Sequence, residues 1–142
     1  MFEQLLIGSI ITLVSLIGAS AMWWALNEGL LKLEPWLTNS PHPLKSLTVT
    51  SMAAVATMGI ITFGVWLWAI VFTYLSVFVS LEEAVYYSLV AYTTLGLGDV
   101  IVPQDQRLLG GMTGANGFLM FGFMTAMLTD TLRHLRRIQR SL

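Results

Sequence analysis

The segment Thr94-Leu95-Gly96-Leu97-Gly98-Asp99 lies between long uncharged stretches and decides how this chain folds. Its two alternating glycines can adopt positive φ angles, which allows successive carbonyl groups to turn toward one axis. Carbonyl oxygens arranged in this way can replace the water shell of a cation. Because irregular backbone is tolerated at membrane depth only where it is buried in protein or lines a water-filled path, the segment predicts a pore.

The composition indicates an integral membrane protein. The chain has 142 residues, of which 56% are hydrophobic and only 11% are charged. Seven Lys and Arg residues against eight Asp and Glu residues give a formal charge of −1, which does not favour a nucleic-acid partner. The length allows one domain, and the absence of cysteine excludes disulfides and thiolate metal sites.

Three uncharged runs predict three transmembrane spans, and they are Leu5–Leu26, Ser46–Leu81 and Leu108–Thr129. A helix needs about 20 apolar residues to cross a hydrocarbon core of roughly 30 Å. The middle run exceeds this requirement, so we expect it to tilt or to project beyond the bilayer. A fourth uncharged run, Ala84–Gly98, is too short to cross and contains the glycine segment. It therefore predicts a re-entrant loop that enters and leaves the membrane on one side.

The basic residues predict the orientation in the membrane. Lys32 and Lys45 lie between the first two spans, and four arginines follow the third span, namely Arg133, Arg136, Arg137 and Arg140. Both regions should be cytoplasmic, because positive charge is enriched in cytoplasmic loops. The N-terminus and the re-entrant loop should then lie outside. We expect a multi-pass membrane protein that contacts lipid, and the family resemblance given below implies a prokaryotic plasma membrane.

A short helix should precede the glycine segment. Ser80 and Glu83 form a capping-box pattern, which predicts a helix over Leu81–Tyr92. Its partly negative C-terminal end would stabilise a cation near the membrane centre. Val100–Pro103 is predicted to be extended, whereas a nucleotide-binding turn requires a following helix and a third glycine. Acidic residues around the loop predict a cation-attracting mouth, to which Asp99 belongs. The other three either join this mouth or are solvated loop charges, and they are Glu82, Glu83 and Asp105.

The segment Ala84–Asp99 resembles the pore helix and selectivity filter of the potassium-channel pore-loop superfamily, whose common form is T-T-V-G-Y-G-D behind an aromatic pair. The segment Phe121–Leu128 is similar to the inner helix of simple bacterial potassium channels. Arg107 and Gly117 keep the ten-residue separation found there between an arginine and the hinge glycine. The resemblance covers about residues 47–132.

The resemblance implies an all-α integral membrane fold with three transmembrane helices, a re-entrant pore helix and a filter loop. Residues 1–46 would form an N-terminal transmembrane helix and a cytoplasmic loop, which have no counterpart in the minimal two-helix channels. Residues 47–142 would form the pore domain. One filter segment cannot surround an ion, and the chain has no internal second copy. The family therefore implies a homotetramer that conducts potassium passively, with no enzymatic step and no cofactor.

The resemblance also implies the residues of the site. The carbonyls of Thr94, Leu95, Gly96 and Leu97, together with the Thr94 hydroxyl, would coordinate K⁺, with Gly98 completing the filter and Asp99 at its outer mouth. Support from the pore helix would come from Tyr86, Tyr87 and Thr93. In the inner helix, Gly117 would act as the hinge, and three side chains would face the cavity, namely Phe118, Phe121 and Thr125.

Two positions depart from the common pattern. Leu97 replaces the filter tyrosine, although the second-pore filter of some two-pore-domain potassium channels has the same T-x-G-L-G-D form. We expect potassium to pass but discrimination against sodium to be weaker, because the stiffening phenol is missing. Val90 stands where many bacterial relatives have a glutamate. Asp99 is therefore expected to lack that partner.

Other interpretations of the same residues remain open. Glycines in the third span also permit close helix packing, which we expect for Gly110, Gly111, Gly114 and Gly122, while Gly117 suits packing and hinge equally. Asn116 should hydrogen-bond between helices or, less favoured, face the pore. Two other functions also fit: a weakly selective monovalent cation channel, or a non-conducting membrane subunit in which Gly96-Leu97-Gly98 is only a tight turn.

Overall fold

The structure, a computed structural model, describes residues 1–32 and 42–140 and is all-helical there, with no strand. It contains four α-helices and one 3₁₀ turn. In chain order they are α1 (Phe2–Lys32), α2 (His42–Tyr74), α3 (Leu81–Tyr92), the 3₁₀ turn (Gln104–Gln106) and α4 (Arg107–Arg140). This confirms the all-α class. The predicted cytoplasmic loop at 33–41 and the side chains of the last three arginines lie outside the described residues.

Two of the described helices are long and apolar enough to cross a membrane, namely Phe2–Lys32 and the part of α2 from Leu47 to Tyr74. Helix α4 has 34 residues but is not among them. Its glycines, its threonines and Asn116 lower the apolar content of the segment, although no charged residue interrupts Leu108–Thr129. The third span therefore stays a prediction.

Helix α1 packs against both α2 and α4 of its own chain. Its buried residues recur every three or four positions, so they form one face; they are Gly8, Ile11, Ser15, Ala19 and Trp23. Small residues on this face let the helices approach closely. A Cβ atom at Gly8 would lie 2.3 Å from the Met112 sulfur, and one at Gly18 would lie 2.4 Å from the Phe63 ring.

The start of α1 lies at the same end of the helix bundle as the loop that follows the glycine segment. The Gln4 side chain donates a hydrogen bond to the backbone carbonyl of Asp105 in the 3₁₀ turn. This places the N-terminus beside the loop that follows the glycine segment.

Helix α2 ends before the uncharged run does. It stops at Tyr74, and Ser76 has a φ angle of 52°, a left-handed conformation that breaks the helix. The amide of Val77 then donates to the carbonyl of Phe72 across the turn. The length of the Ser46–Leu81 run is thus divided between a helix and a turn, and the chain is directed into α3.

Candidate ion-permeation site

Helix α3 begins at a side-chain cap, as the sequence predicts. The Ser80 hydroxyl accepts a hydrogen bond from the amide of Glu83 at 3.1 Å. The Glu83 carboxylate reaches back to the amide of Val79 at 3.3 Å, one residue before the position that a capping box predicts. The helix covers Leu81–Tyr92, which confirms the predicted bounds. Glu82 and Glu83 lie in its first turn, where negative charge is favourable.

The glycine segment is anchored to the last turn of α3. The Val90 carbonyl accepts hydrogen bonds from the amides of Leu95 at 3.0 Å and Gly96 at 3.2 Å. The amide of Thr94 donates to the Ala91 carbonyl at 3.0 Å. The backbone therefore leaves the helix through a tight hydrogen-bonded turn, which fixes where the segment begins.

Every second residue of the segment adopts a left-handed conformation. The φ angles are 60° at Gly96 and 76° at Gly98, which confirms the conformational prediction from the glycine spacing. Thr94 also has a positive φ angle of 59°, which the sequence did not indicate, since a β-branched residue rarely adopts it. Such strained residues cluster at functional sites. No atom lies within 4 Å of a Cβ built on Gly96 or Gly98, so conformation alone explains these glycines.

The segment is exposed along its whole length in a single chain. Residues 94–99 are all exposed, and the side chains of Leu95 and Leu97 are 64% and 59% exposed. An apolar side chain gains free energy when it leaves water, so the exposed leucines mark the segment as a surface suited to burial against protein or lipid.

Asp99 has a partner in the pore helix. The Tyr86 hydroxyl donates a hydrogen bond of 2.5 Å to the Asp99 carboxylate. Val90 cannot pair with Asp99 as the glutamate of many bacterial relatives does. Tyr86 supplies a different hydrogen-bond partner. This hydrogen bond lowers the pKa of Asp99 below its ordinary value of 3.8 and raises the pKa of Tyr86. The carboxylate therefore stays charged at neutral pH.

The other predicted support residues pack inside the chain. The ring of Tyr87 lies 5.4 Å from that of Phe72 in α2 and 5.0 Å from that of Phe78 in the turn before α3. Thr93 caps the C-terminus of α3, where its hydroxyl donates to the Leu89 carbonyl at 2.6 Å. The Tyr87 contacts hold α3 against α2, whereas the Thr93 hydrogen bond lies within α3.

Gly117 packs directly against the end of α3. A Cβ atom at this position would lie 1.7 Å from the Tyr92 carbonyl oxygen, so the site admits only glycine. Gly110 is similarly close to the Tyr87 hydroxyl, at 2.4 Å, and Gly114 lies in ordinary contact with α3. The packing explanation therefore holds for Gly110, Gly114 and Gly117. Around Gly111 and Gly122 there is open space within the single chain, so the chain itself supplies no packing reason for either.

One side of α4 is left uncovered in the single chain. The three residues expected to face the cavity are exposed there, with Phe118 at 74%, Phe121 at 37% and Thr125 also exposed. The opposite side is buried through Leu109, Thr113, Asn116, Gly117 and Met120. All three residues therefore share the free side of the helix.

Asn116 is buried, but neither its side-chain nitrogen nor its oxygen has a hydrogen-bond partner. The predicted interhelical bond is absent from the described residues, and at 1% exposure the side chain does not face an open pore in the single chain. The Ser88 hydroxyl of α3 is likewise buried without a partner. The interior of the bundle therefore contains unsatisfied polar groups. Each of them costs free energy, because it has lost its hydrogen bonds to water without gaining others.

The chain belongs to the potassium-channel pore-loop family. A family model described as "Ion channel" matches residues 60–134, which is just over half of the chain and contains α3, the glycine segment and most of α4. The protein is therefore an ion channel and not an enzyme. The match leaves out α1. No curated protein and no solved structure matches the chain.

Proposed function

We propose that four copies of this chain form a channel that conducts potassium passively through a filter made of Thr94–Gly98. The observation that carries the proposal is the alternation of left-handed residues at 94, 96 and 98 in an exposed ribbon. In a ribbon of this kind the carbonyl groups of neighbouring residues can point to the same side, where they can coordinate a dehydrated cation.

The assembly follows from the exposure of the ribbon. One ribbon covers only one side of an ion, and the described chain holds a single copy. Other copies would cover the leucines of the filter and the free side of α4, which carries Phe118, Phe121 and Thr125. The pore-loop family implies four subunits, with α3 pointing its carbonyl end toward the common axis and Asp99 at the mouth.

Ions would move down their electrochemical gradient through several weak sites in file, so no cofactor is required. The N-terminus and filter would lie outside and the arginine-rich end of α4 in the cytoplasm. Arg133, the one arginine of this group whose side chain the structure describes, is exposed, as a topology determinant requires.

A second candidate function is a weakly selective channel for monovalent cations. It is favoured by Leu97, whose apolar side chain cannot donate the hydrogen bond that a tyrosine makes behind the filter. The backbone oxygens remain available, but their spacing is less restrained. Reversal potentials under opposing K⁺ and Na⁺ gradients separate the two candidates, since strict potassium selectivity rules out the second.

The experiment that tests conduction uses purified protein in liposomes, with a K⁺ gradient and with Ba²⁺ as a blocker. Gly96→Ala should reduce the K⁺ flux by about tenfold or more, because alanine at φ 60° costs roughly 1–2 kcal/mol in each subunit. The matched control is Gly29→Ala, a helical glycine of α1 that also has open space around it. Equal flux from wild type and Gly96→Ala would contradict the proposed filter. No cation flux from a wild-type protein that is monomeric on sizing would favour the non-conducting subunit.

A further inference from the structure

Tyr92 occupies a central position just before the filter. It is the last residue of α3, is fully buried, and lies two residues before Thr94. Its carbonyl oxygen packs against Gly117 of α4, and its phenol oxygen lies 2.3 Å from the position of a Cβ atom built on Gly64 of α2. A displacement of Tyr92 would therefore displace the start of the filter.

The phenol of Tyr92 reaches the N-terminal helix. Its oxygen lies 3.4 Å from the Ser15 hydroxyl oxygen, which is longer than the usual O–H···O distance of about 2.5–3.0 Å, so the two hydroxyl groups form a weak hydrogen bond. Ser15 is 1% exposed, and each hydroxyl is the other's side-chain partner among the described residues. Because buried hydroxyl groups require partners, this pair joins α1 to the base of the filter.

Helix α1 also contacts the chain beyond the filter. Gln4 donates to the Asp105 carbonyl, six residues after the last residue of the glycine segment. Gly8, between these two contacts, packs tightly against Met112, and Gly18, three residues after Ser15, packs tightly against Phe63. The helix is thus attached to both ends of the loop that contains Thr94–Asp99.

We infer that α1 is a brace for the selectivity filter and that Ser15 is a positioning residue acting through Tyr92. The inference rests on the proposed function, since it assigns a purpose to a helix that lies outside the family match. Leu97 has no phenol hydroxyl, so it cannot make the hydrogen bond with which a tyrosine at this position restrains the filter. Tyr92 and α1 instead restrain the filter from the side where it joins α3.

The two hydroxyl groups should respond differently to removal. Ser15→Ala leaves the Tyr92 phenol buried without a partner, whereas Tyr92→Phe leaves a helical serine, which can donate to the carbonyl four residues earlier. We therefore expect Ser15→Ala to raise the Na⁺/K⁺ permeability ratio about threefold to tenfold, as expected for one lost buried hydrogen bond. Tyr92→Phe and the double variant should change the ratio less than Ser15→Ala does.

The test measures reversal potentials of full-length protein in planar bilayers, with tetramer sizing to verify assembly. The matched control is Ser20→Ala on the same helix, since Ser20 is exposed and donates only to the Leu16 carbonyl at 2.8 Å. The brace inference would be overturned if Ser15→Ala had the same Na⁺/K⁺ permeability ratio as wild type, or if Ser20→Ala changed that ratio as much as Ser15→Ala does. A higher Na⁺/K⁺ permeability ratio in Ser15→Ala than in Tyr92→Phe supports the inference.

Hydrogen exchange separates this inference from the conduction proposal. Amides 94–99 should exchange about threefold to tenfold faster in Ser15→Ala than in wild type, and this readout needs no ion flux. If wild type carries no flux, the proposed function fails, and exchange alone then decides whether α1 restrains the segment. If wild type conducts and exchange at 94–99 is unchanged in Ser15→Ala, the brace fails while the channel stands.

Discussion

The contact between Gly117 and Tyr92 gives a sharp test of how the inner helix works. Two explanations of this glycine predict opposite effects of Gly117→Ala. If the glycine serves only as a hinge, alanine should stabilise α4 by about 1 kcal/mol, the difference in helix propensity. If it serves close packing, alanine should destabilise the protein.

The magnitude follows from the geometry. The added Cβ atom would lie 1.7 Å from the Tyr92 carbonyl oxygen and 2.6 Å from its carbonyl carbon, against an ordinary contact of at least 3.4 Å. These are backbone atoms, so no side-chain rotation relieves the clash, and α3 and α4 must separate by roughly 1.7 Å to restore an ordinary contact. Overpacking of this kind costs about 3 kcal/mol, the upper part of the usual range, which leaves about 2 kcal/mol after the gain in helix propensity.

The assay is denaturant unfolding in detergent, with Gly122→Ala as the matched control. Gly122 lies in the same helix and has no atom within 4 Å of a built Cβ, so alanine there should be neutral or stabilising. A loss of about 2 kcal/mol corresponds to a roughly 30-fold change in the unfolding equilibrium. A Gly117→Ala protein as stable as wild type would refute the packing explanation and leave the hinge.

Two further predictions concern single polar side chains. Tyr86→Phe removes the hydrogen bond that lowers the pKa of Asp99, so this pKa should return toward 3.8. The Asp99 carboxylate of the variant would then be protonated at a higher pH than that of wild type. The loss of K⁺ flux on acidification should therefore begin at higher pH in the variant. Flux measured from pH 6 to pH 3 checks this, and identical profiles would contradict it. Asn116→Leu removes two buried polar atoms without partners and should stabilise the protein by about 1–3 kcal/mol in thermal or denaturant unfolding. A destabilised variant would mean that the amide is bonded in the assembled channel.

Much of the fold could be predicted because it depends on local chemistry. The Ser80 cap and the two acidic residues after it determine where α3 begins, and the alternating glycines determine the left-handed backbone at 96 and 98. Each of these effects involves residues within a few positions of one another, so the sequence carries it directly. The long apolar runs determine the helices of α1 and α2 for the same reason.

Local preferences were insufficient where backbone hydrogen bonds override a residue's own conformational preference and where residues distant in sequence meet. The left-handed Thr94 is imposed by the hydrogen bonds that tie the segment to Val90, against the preference of a β-branched side chain. Asp99 finds its partner in Tyr86, and the expected Asn116 bond is absent among the described residues of the single chain. Trp23 and Trp24 are neighbours in sequence, yet packing against other helices buries Trp23 and leaves Trp24 exposed.

The sequence by itself determined a membrane protein with a glycine-bearing loop between apolar helices, because hydropathy, capping and glycine conformation act over short distances. Only the tertiary structure decided that α1 joins the pore unit, with Ser15 beside Tyr92 and Gln4 beside Asp105. The physical reason is that a uniformly apolar helix has no polar face to show which side will pack. Small residues select that side, because other helices can approach closely there. The sequence shows where the small residues are, but not which helix each of them contacts.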